Sequence, residues 1–249
     1  MAERLRISGG SRRGRKLISP PTNSIRPASD LVRQAVFNML GTAIEDVVFY
    51  DVFAGTGIVG LEALSRGAKR AIFVEQERRQ LVLIKQNLAR AGFAAEANVR
   101  GSDAFTWGKH FATHGQRSIV FLGPPYPLFE KDLDRMLELV NVVQENLAVG
   151  DYLVLQYPRF IVPERLPRPE TWFRMRHYGK TRIGIWTPET AGDDTQDVEV
   201  ARTGSSQDAS KPHGEEASAF HQEPENHDEA TPTSPLSSFE AEHDDREQG

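Results

Sequence analysis

The sequence predicts a mostly parallel, doubly wound α/β sheet that ends in an antiparallel hairpin. Three observations predict it. Short apolar strands alternate with amphipathic helices, a glycine-rich turn joins the first such strand to its helix, and two alternating strands flank Gly179-Lys180.

A helix starts at Ser29 or Asp30, either of which can cap it; Val32, Ala35, Val36, Met39 and Leu40 recur at helical spacing, and Gly41 closes it. The apolar run 47–53 is a strand that enters a glycine loop, and a helix from about Ile58 to Ser65 follows, stopped by Gly67. Residues 71–75 are a strand, and 77–91 a helix with Leu81, Ile84 and Leu88 on one face and Gly92 beyond its end. A short strand over 97–103, a stronger one over 118–122, an amphipathic helix over 130–147 and a fifth strand over 152–157 continue the alternation. Pro158, Pro163, Pro167 and Pro169 lead to the hairpin, where Phe173 and Met175 are expected to share a face with Ile183 and Ile185.

The net charge of −5 over 249 residues conceals two populations. Residues 1–186 hold 27 Lys and Arg against 18 Asp and Glu, whereas residues 188–249 hold 3 against 17. The second stretch has only five large apolar residues (Val198, Val200, Phe220, Leu236, Phe239) and cannot bury enough surface to offset the entropy of ordering. A disordered acidic tail over 188–249 is expected, as a solvating appendage or as a strip that competes with nucleic acid for the basic body. At the other end, residues 1–33 carry eight basic side chains against Glu3 and Asp30, with Gly9, Gly10 and Gly14 interleaved. Such charge on a flexible backbone suits phosphate contact, and makes Arg12, Arg13, Arg15, Lys16, Arg26 and Arg33 candidate RNA contacts.

With no cysteine, disulfide scaffolds, thiolate metal sites and cysteine nucleophiles are excluded. No apolar run reaches the ~18 residues that span a bilayer, and the basic N-terminus lacks the apolar core of a secretory signal. A soluble cytoplasmic monomer without membrane association is expected. His110, His114 and His177 show no ligand spacing, and no metal site is expected.

Gly55, Gly57 and Gly60 satisfy G-x-G-x-x-G between a strand and a helix, with Glu75 following where an acid holds ribose hydroxyls. The loop and its flanks (Asp51, Phe53, Ala54, Gly55, Thr56, Gly57, Glu75 and Gln76) are read as a cradle for an adenosine-containing cofactor. The glycines alone do not choose between a nicotinamide dinucleotide and S-adenosylmethionine. Asp51 leans toward the second, because a carboxylate there repels a pyrophosphate and attracts a methionine ammonium. Asp103, after the third strand, is a candidate for the adenine amino group and equally for a helix cap, a role open to Ser102 as well.

The fourth strand runs into Gly123-Pro124-Pro125-Tyr126-Pro127, a stiff turn whose carbonyls point in set directions. At the C-terminal end of a central strand it faces the cofactor. Gly123, Pro124, Pro125 and Tyr126 are the candidate catalytic residues.

These motifs, with Glu62-Ala-Leu-Ser-Arg-Gly-Ala68, Phe73-Val-Glu75, Tyr178-Gly-Lys-Thr181, Arg6-Ile-x-Gly-Gly10, Arg13-Gly-Arg15-x-Leu17, Arg26-Pro27, Arg33 and Phe37-Asn38, resemble the RsmD-type 16S ribosomal RNA guanine-N2 methyltransferases over roughly residues 4–186. The resemblance implies a Rossmann-like class I methyltransferase sheet, S-adenosyl-L-methionine as methyl donor, and an exocyclic guanine amine of small-subunit RNA, free or in the assembling particle, as acceptor. It places Arg33, Phe37 and Asn38 at the substrate entrance, with core packing an equal reading for Phe37. The chain then divides into a basic RNA-contact extension (1–28), a methyltransferase domain (29–187) and the acidic tail (188–249).

The family loop begins with Asp or Asn, and this chain has Gly123. In the family pattern that side chain and a proline carbonyl accept hydrogen bonds from the amine, and the aromatic ring stacks on the extruded base. Losing one acceptor costs on the order of 1–3 kcal/mol, roughly 5- to 150-fold in rate. A slowed enzyme is expected. The alternatives are a protein that binds cofactor and RNA without transferring a methyl, and an amino-methyltransferase acting on another nucleic acid.

Overall fold

The computed structural model describes residues 5–19 and 30–188. Seven strands form one sheet: β1 (Val48–Val52), β2 (Arg70–Glu75), β3 (Ala97–Gly101), β4 (Ser118–Leu122), β5 (Tyr152–Pro158), β6 (Trp172–Tyr178) and β7 (Thr181–Trp186), in the spatial order β3-β2-β1-β4-β5-β7-β6. The first five are parallel, and β7 runs antiparallel to both β5 and β6. From β1 the chain winds outward to β3, then crosses back to β4. The direction therefore reverses between β1 and β4, where a doubly wound sheet opens its ligand crevice. Every residue of these two strands is buried, as continuous apolar runs covered on both faces must be.

The period of two divides the core. Phe49, Phe73, Ile119 and Phe121 face α1 (Asp30–Leu40), α2 (Ile58–Ser65) and α3 (Arg78–Ala91). Val52, Val74, Val120 and Leu122 face α4 (Ala104–Gly108), α5 (Pro127–Lys131) and α6 (Leu133–Asn146). No helix among the described residues is long and apolar enough to cross a membrane.

Three expectations are corrected. The helix predicted over 130–147 is two helices, because Asp132 leaves helical geometry (φ −151°, ψ 50°) between α5 and α6. In the hairpin, the turn at Gly179-Lys180 pairs Tyr178 with Thr181, so Arg176 opposes Ile183 and Arg174 opposes Ile185. Paired residues share a face; Arg174 and Arg176, rather than Phe173 and Met175, accompany the two isoleucines, and Phe173 is 49% exposed. The glycine-rich N-terminal segment is also no loose strand. Arg6 bridges Lys16, Ile7 N–H donates to Arg15 O (3.1 Å), and Leu5, Ile7 and Leu17 enter the core. Arg26 and the acidic stretch from residue 189 lie outside the described residues.

Candidate active site

The first loop follows β1 over the end of β2. Phe53 takes a left-handed conformation (φ 64°), which lets its own N–H and that of Ala54 both donate to Val74 O, each at 3.1 Å. Gly57 needs φ 76° to open α2, and a Cβ on Gly60 would lie 2.4 Å from Cε1 of Phe73, so the third glycine is what lets α2 pack against β2.

Two carboxylates hold this loop from below. Asp51, 1% exposed, accepts from Gly60 N–H at 2.9 Å, a first-turn amide that α2 cannot bond internally. Burial pushes the Asp51 carboxyl up to about 7; the Gly60 hydrogen bond opposes this and the nearby Glu75 charge adds to it. Glu75 accepts from Gly55 N–H through Oε2 (2.8 Å) and from Gln76 and Glu77 N–H through Oε1 (both 2.9 Å). Oε2, with one donor, retains lone-pair capacity for a ligand hydroxyl. The Thr56 hydroxyl, buried in the same loop, has no partner among the described residues. Asp103 caps α4, accepting from Thr106 N–H at 3.0 Å, and Arg135 lies 3.7 Å from the same oxygen with its guanidinium 3.9 Å over the Phe105 ring. The cap is thus realised, and it leaves Oδ2 of Asp103 as the oxygen available to an adenine amine.

The second loop leaves β4 beside the first. Val52 and Leu122 are paired at the ends of their strands, and Gly123 N–H donates back to Val52 O at 3.2 Å. The diproline turn therefore stands at the same edge of the sheet as Asp51 and Glu75, on the adjacent strand. Pro125 O is taken by Leu128 N–H (3.0 Å), whereas nothing among the described residues donates to Pro124 O. Tyr126 is half-buried and its hydroxyl is hydrogen-bonded to Thr181 Oγ1 of β7. In the sequence Thr181 stands out only as part of the Tyr178-Gly-Lys-Thr181 motif. The contact that gives it a role crosses 55 positions and rests on the hairpin register. At Gly123 a Cβ would meet Cε1 of Phe121 at 2.7 Å, so the Phe121 ring fills the space a side chain would enter.

Of the predicted RNA contacts, Arg12, Arg13, Arg15 and Lys16 are exposed on the N-terminal hairpin. Arg33 is not; this expectation is corrected. Only 1% exposed, it donates to Asp30 Oδ1 (2.6 Å) and Arg6 O (3.0 Å) and faces the fully buried Glu62 at 3.9 Å. It lies beside Val32, Val36 and Phe37 on the inward side of α1, where a guanidinium survives only with partners. Phe37 is buried in the core. Glu62 also accepts from Ser8 N–H and Oγ (both 2.7 Å) and from Arg66 (2.9 Å), clasping the N-terminal hairpin to the helix behind the glycine loop. Asn87 was missed as well. Its buried amide accepts from Ile18 N–H (2.8 Å) and donates to Ile18 O (3.2 Å) and to Thr56 O (3.1 Å), joining the N-terminal segment to the loop itself. A polar residue at a core position of α3 was the available signal.

The family model described as conserved hypothetical protein 95 matches residues 5–187. Ribosomal RNA small subunit methyltransferase D of Escherichia coli K12 is 34% identical over 196 residues, covering 78% of this chain and 94% of that protein. YlbH of Bacillus subtilis strain 168, named as a candidate rRNA methyltransferase, is 32% identical over 192 residues, covering 73% and 98%. The solved structure of the E. coli candidate methyltransferase yhhF superposes with a TM-score of 0.62 at 33% identity, covering 75% of this chain and 99% of that one. With the glycine loop and the diproline loop on neighbouring strands of a Rossmann-like sheet, the chain belongs to the conserved hypothetical protein 95 family, the RsmD family.

Proposed function

We propose that the protein transfers a methyl group from S-adenosyl-L-methionine to the exocyclic N2 of a guanine in small-subunit ribosomal RNA. The observation that carries this reading is the placement of the two loops at one sheet edge, the cofactor cradle after β1 and the diproline turn after β4, joined by the Gly123–Val52 hydrogen bond. The names of the relatives support its coarser part, methylation of ribosomal RNA.

The residues fit a sulfonium donor. Asp51 presents a carboxylate toward the ammonium end, Glu75 suits ribose hydroxyls, and the orphaned Thr56 hydroxyl is a further polar group within the cradle. When bound, S-adenosylmethionine supplies an electrophilic methyl, so the transfer asks the protein for orientation more than for acid–base chemistry. The open Pro124 carbonyl accepts a hydrogen bond from the guanine amine as it loses its planarity. The Tyr126 ring, held at its far end by Thr181, offers a face for the extruded base. Arg12, Arg13, Arg15 and Lys16 supply phosphate contacts outside the pocket.

Incubating the full chain with methyl-labelled S-adenosylmethionine and unmethylated small subunits, then mapping the product by mass spectrometry, tests this. Label at a guanine N2 is expected; label elsewhere refutes the acceptor. The glycine at 123, walled by Phe121, favours a second reading, a protein that binds both ligands without transfer. Binding of both with no incorporation would select it.

A further inference from the structure

We infer that the turn of the β6–β7 hairpin carries a second RNA-docking surface, made by Arg159, Arg176 and Lys180, which holds the phosphates flanking the target base. The inference rests on the RNA-methyltransferase reading above and names where its substrate is gripped.

Residues 159–182 contain seven Lys and Arg (159, 165, 168, 174, 176, 180 and 182) against Glu164 and Glu170. Elsewhere in the described body Arg33, Arg66, Lys69 and Arg135 form ion pairs. Among the described residues, no carboxylate pairs with any of these seven. Some serve the fold. Arg174 donates to Met39 O at the end of α1, Arg168 lies over the Trp186 ring (5.8 Å), and Arg182 hydrogen-bonds Tyr157. Arg165, in the connection between β5 and β6, is exposed as well. Arg159, Arg176 and Lys180 remain exposed, and among the described residues the Arg176 guanidinium reaches only the carbonyl of its neighbour Met175 (2.9 Å).

Topology brings these three to the catalytic edge. The last residue of β5, Pro158, pairs with the first of β7, Thr181, and β5 runs parallel to β4, so the hairpin turn stands at the end from which the diproline loop leaves. Arg159 N–H donates to Lys180 O at 2.8 Å, which fixes those two residues together. Thr181 bonds Tyr126, its partner across the hairpin is Tyr178, and Arg176 follows two positions along on the same face, roughly 7 Å away at strand spacing. Unpaired cations beside the pocket that must hold an extruded nucleotide match the phosphates on either side of that nucleotide. They contribute charge and position, not base identity.

The test is the salt dependence of binding to an unmodified transcript of small-subunit ribosomal RNA, measured with the full chain. Each phosphate contact contributes roughly 0.7–0.9 to the slope of log K against log salt. The variant R159Q/R176Q/K180Q is expected to be shallower by about 2 and to bind at least tenfold more weakly at 0.1 M salt, with S-adenosylhomocysteine affinity and thermal unfolding unchanged. The charge-keeping variant R159K/R176K is expected to retain the wild-type slope, which separates lost charge from a disturbed hairpin. A wild-type slope in the triple variant, alongside a reduced slope in R12Q/R13Q/R15Q, overturns the hairpin surface and leaves the methyltransferase reading standing. The same holds if the triple variant binds the transcript as tightly as the wild type. A wild type that binds neither the transcript nor unmethylated small subunits overturns both.

Discussion

Lowering the pH from 7.5 to 6 is expected to weaken binding of S-adenosylhomocysteine about eightfold, through protonation of Asp51. Burial raises this carboxyl to about 7, so about a tenth of it is ionised at pH 6 and about three quarters at pH 7.5. If the carboxylate is the form that attracts the ligand's ammonium, the apparent Kd scales inversely with that fraction, an eightfold change. Calorimetric titration at pH 6.0, 6.5, 7.0 and 7.5 reads it directly, with Asp51→Asn as the control that should show almost no trend. The amide retains the acceptor for Gly60 N–H and removes only the ionisation. A wild-type Kd flat across this range, or a slope that survives in Asp51→Asn, refutes the assignment of Asp51 to the ammonium.

The same group sets the pH dependence of stability. Its folded pKa lies above the unfolded value of 3.8, so its contribution is full below that value and is lost as pH rises through about 7. Thermal unfolding of the wild type should show about 2–3 kcal/mol less stability from this source at pH 8 than at pH 5, and Asp51→Asn should remove that share. Thr181→Val takes away the partner of the Tyr126 hydroxyl; about 1 kcal/mol of lost orientation predicts a roughly fivefold lower kcat, with cofactor affinity unchanged by titration. Glu62→Ala leaves Arg33 and Arg66 without their buried carboxylate and should cost about 3–5 kcal/mol in denaturant unfolding, whereas a surface change such as Lys69→Ala should cost under about 0.5 kcal/mol. Gly123→Asp restores the family's acceptor but drives its Cβ against Phe121. It should lose about 1–3 kcal/mol of stability, and Gly123→Asp with Phe121→Leu should recover stability and transfer methyl faster than wild type; an unchanged rate in the double variant means the acceptor is already supplied elsewhere.

Much of the fold was legible because its signals are local. The runs 47–53, 71–75, 118–122 and 152–157 are mostly apolar, and each contains or overlaps a strand within one or two positions. Gly92 was readable as the stop of α3 because the left-handed cap it supplies (φ 78°) belongs to its own residue. The two loops of the candidate site were legible for the same reason, each being a short motif between a strand and a helix. The five-residue α4, announced only by the cap alternative at Asp103, and α5 were not read as helices, since helices that short carry too few turns to show a period.

Sequence by itself determined the order of the strands and of the longer helices, the glycine cradle with its two acids and the stiff diproline turn, because backbone preference and residue spacing act over a few neighbours. Tertiary structure decided which residues meet across long stretches of chain: Tyr126 with Thr181, Asn87 with both Ile18 and Thr56, and Glu62 with Ser8 and the inward-turned Arg33. Those contacts follow from strand register and from which helix face is buried. A shift of one residue in β7 would carry Thr181 to the other side of the sheet, and a polar side chain in the core is tolerated only where distant partners happen to arrive.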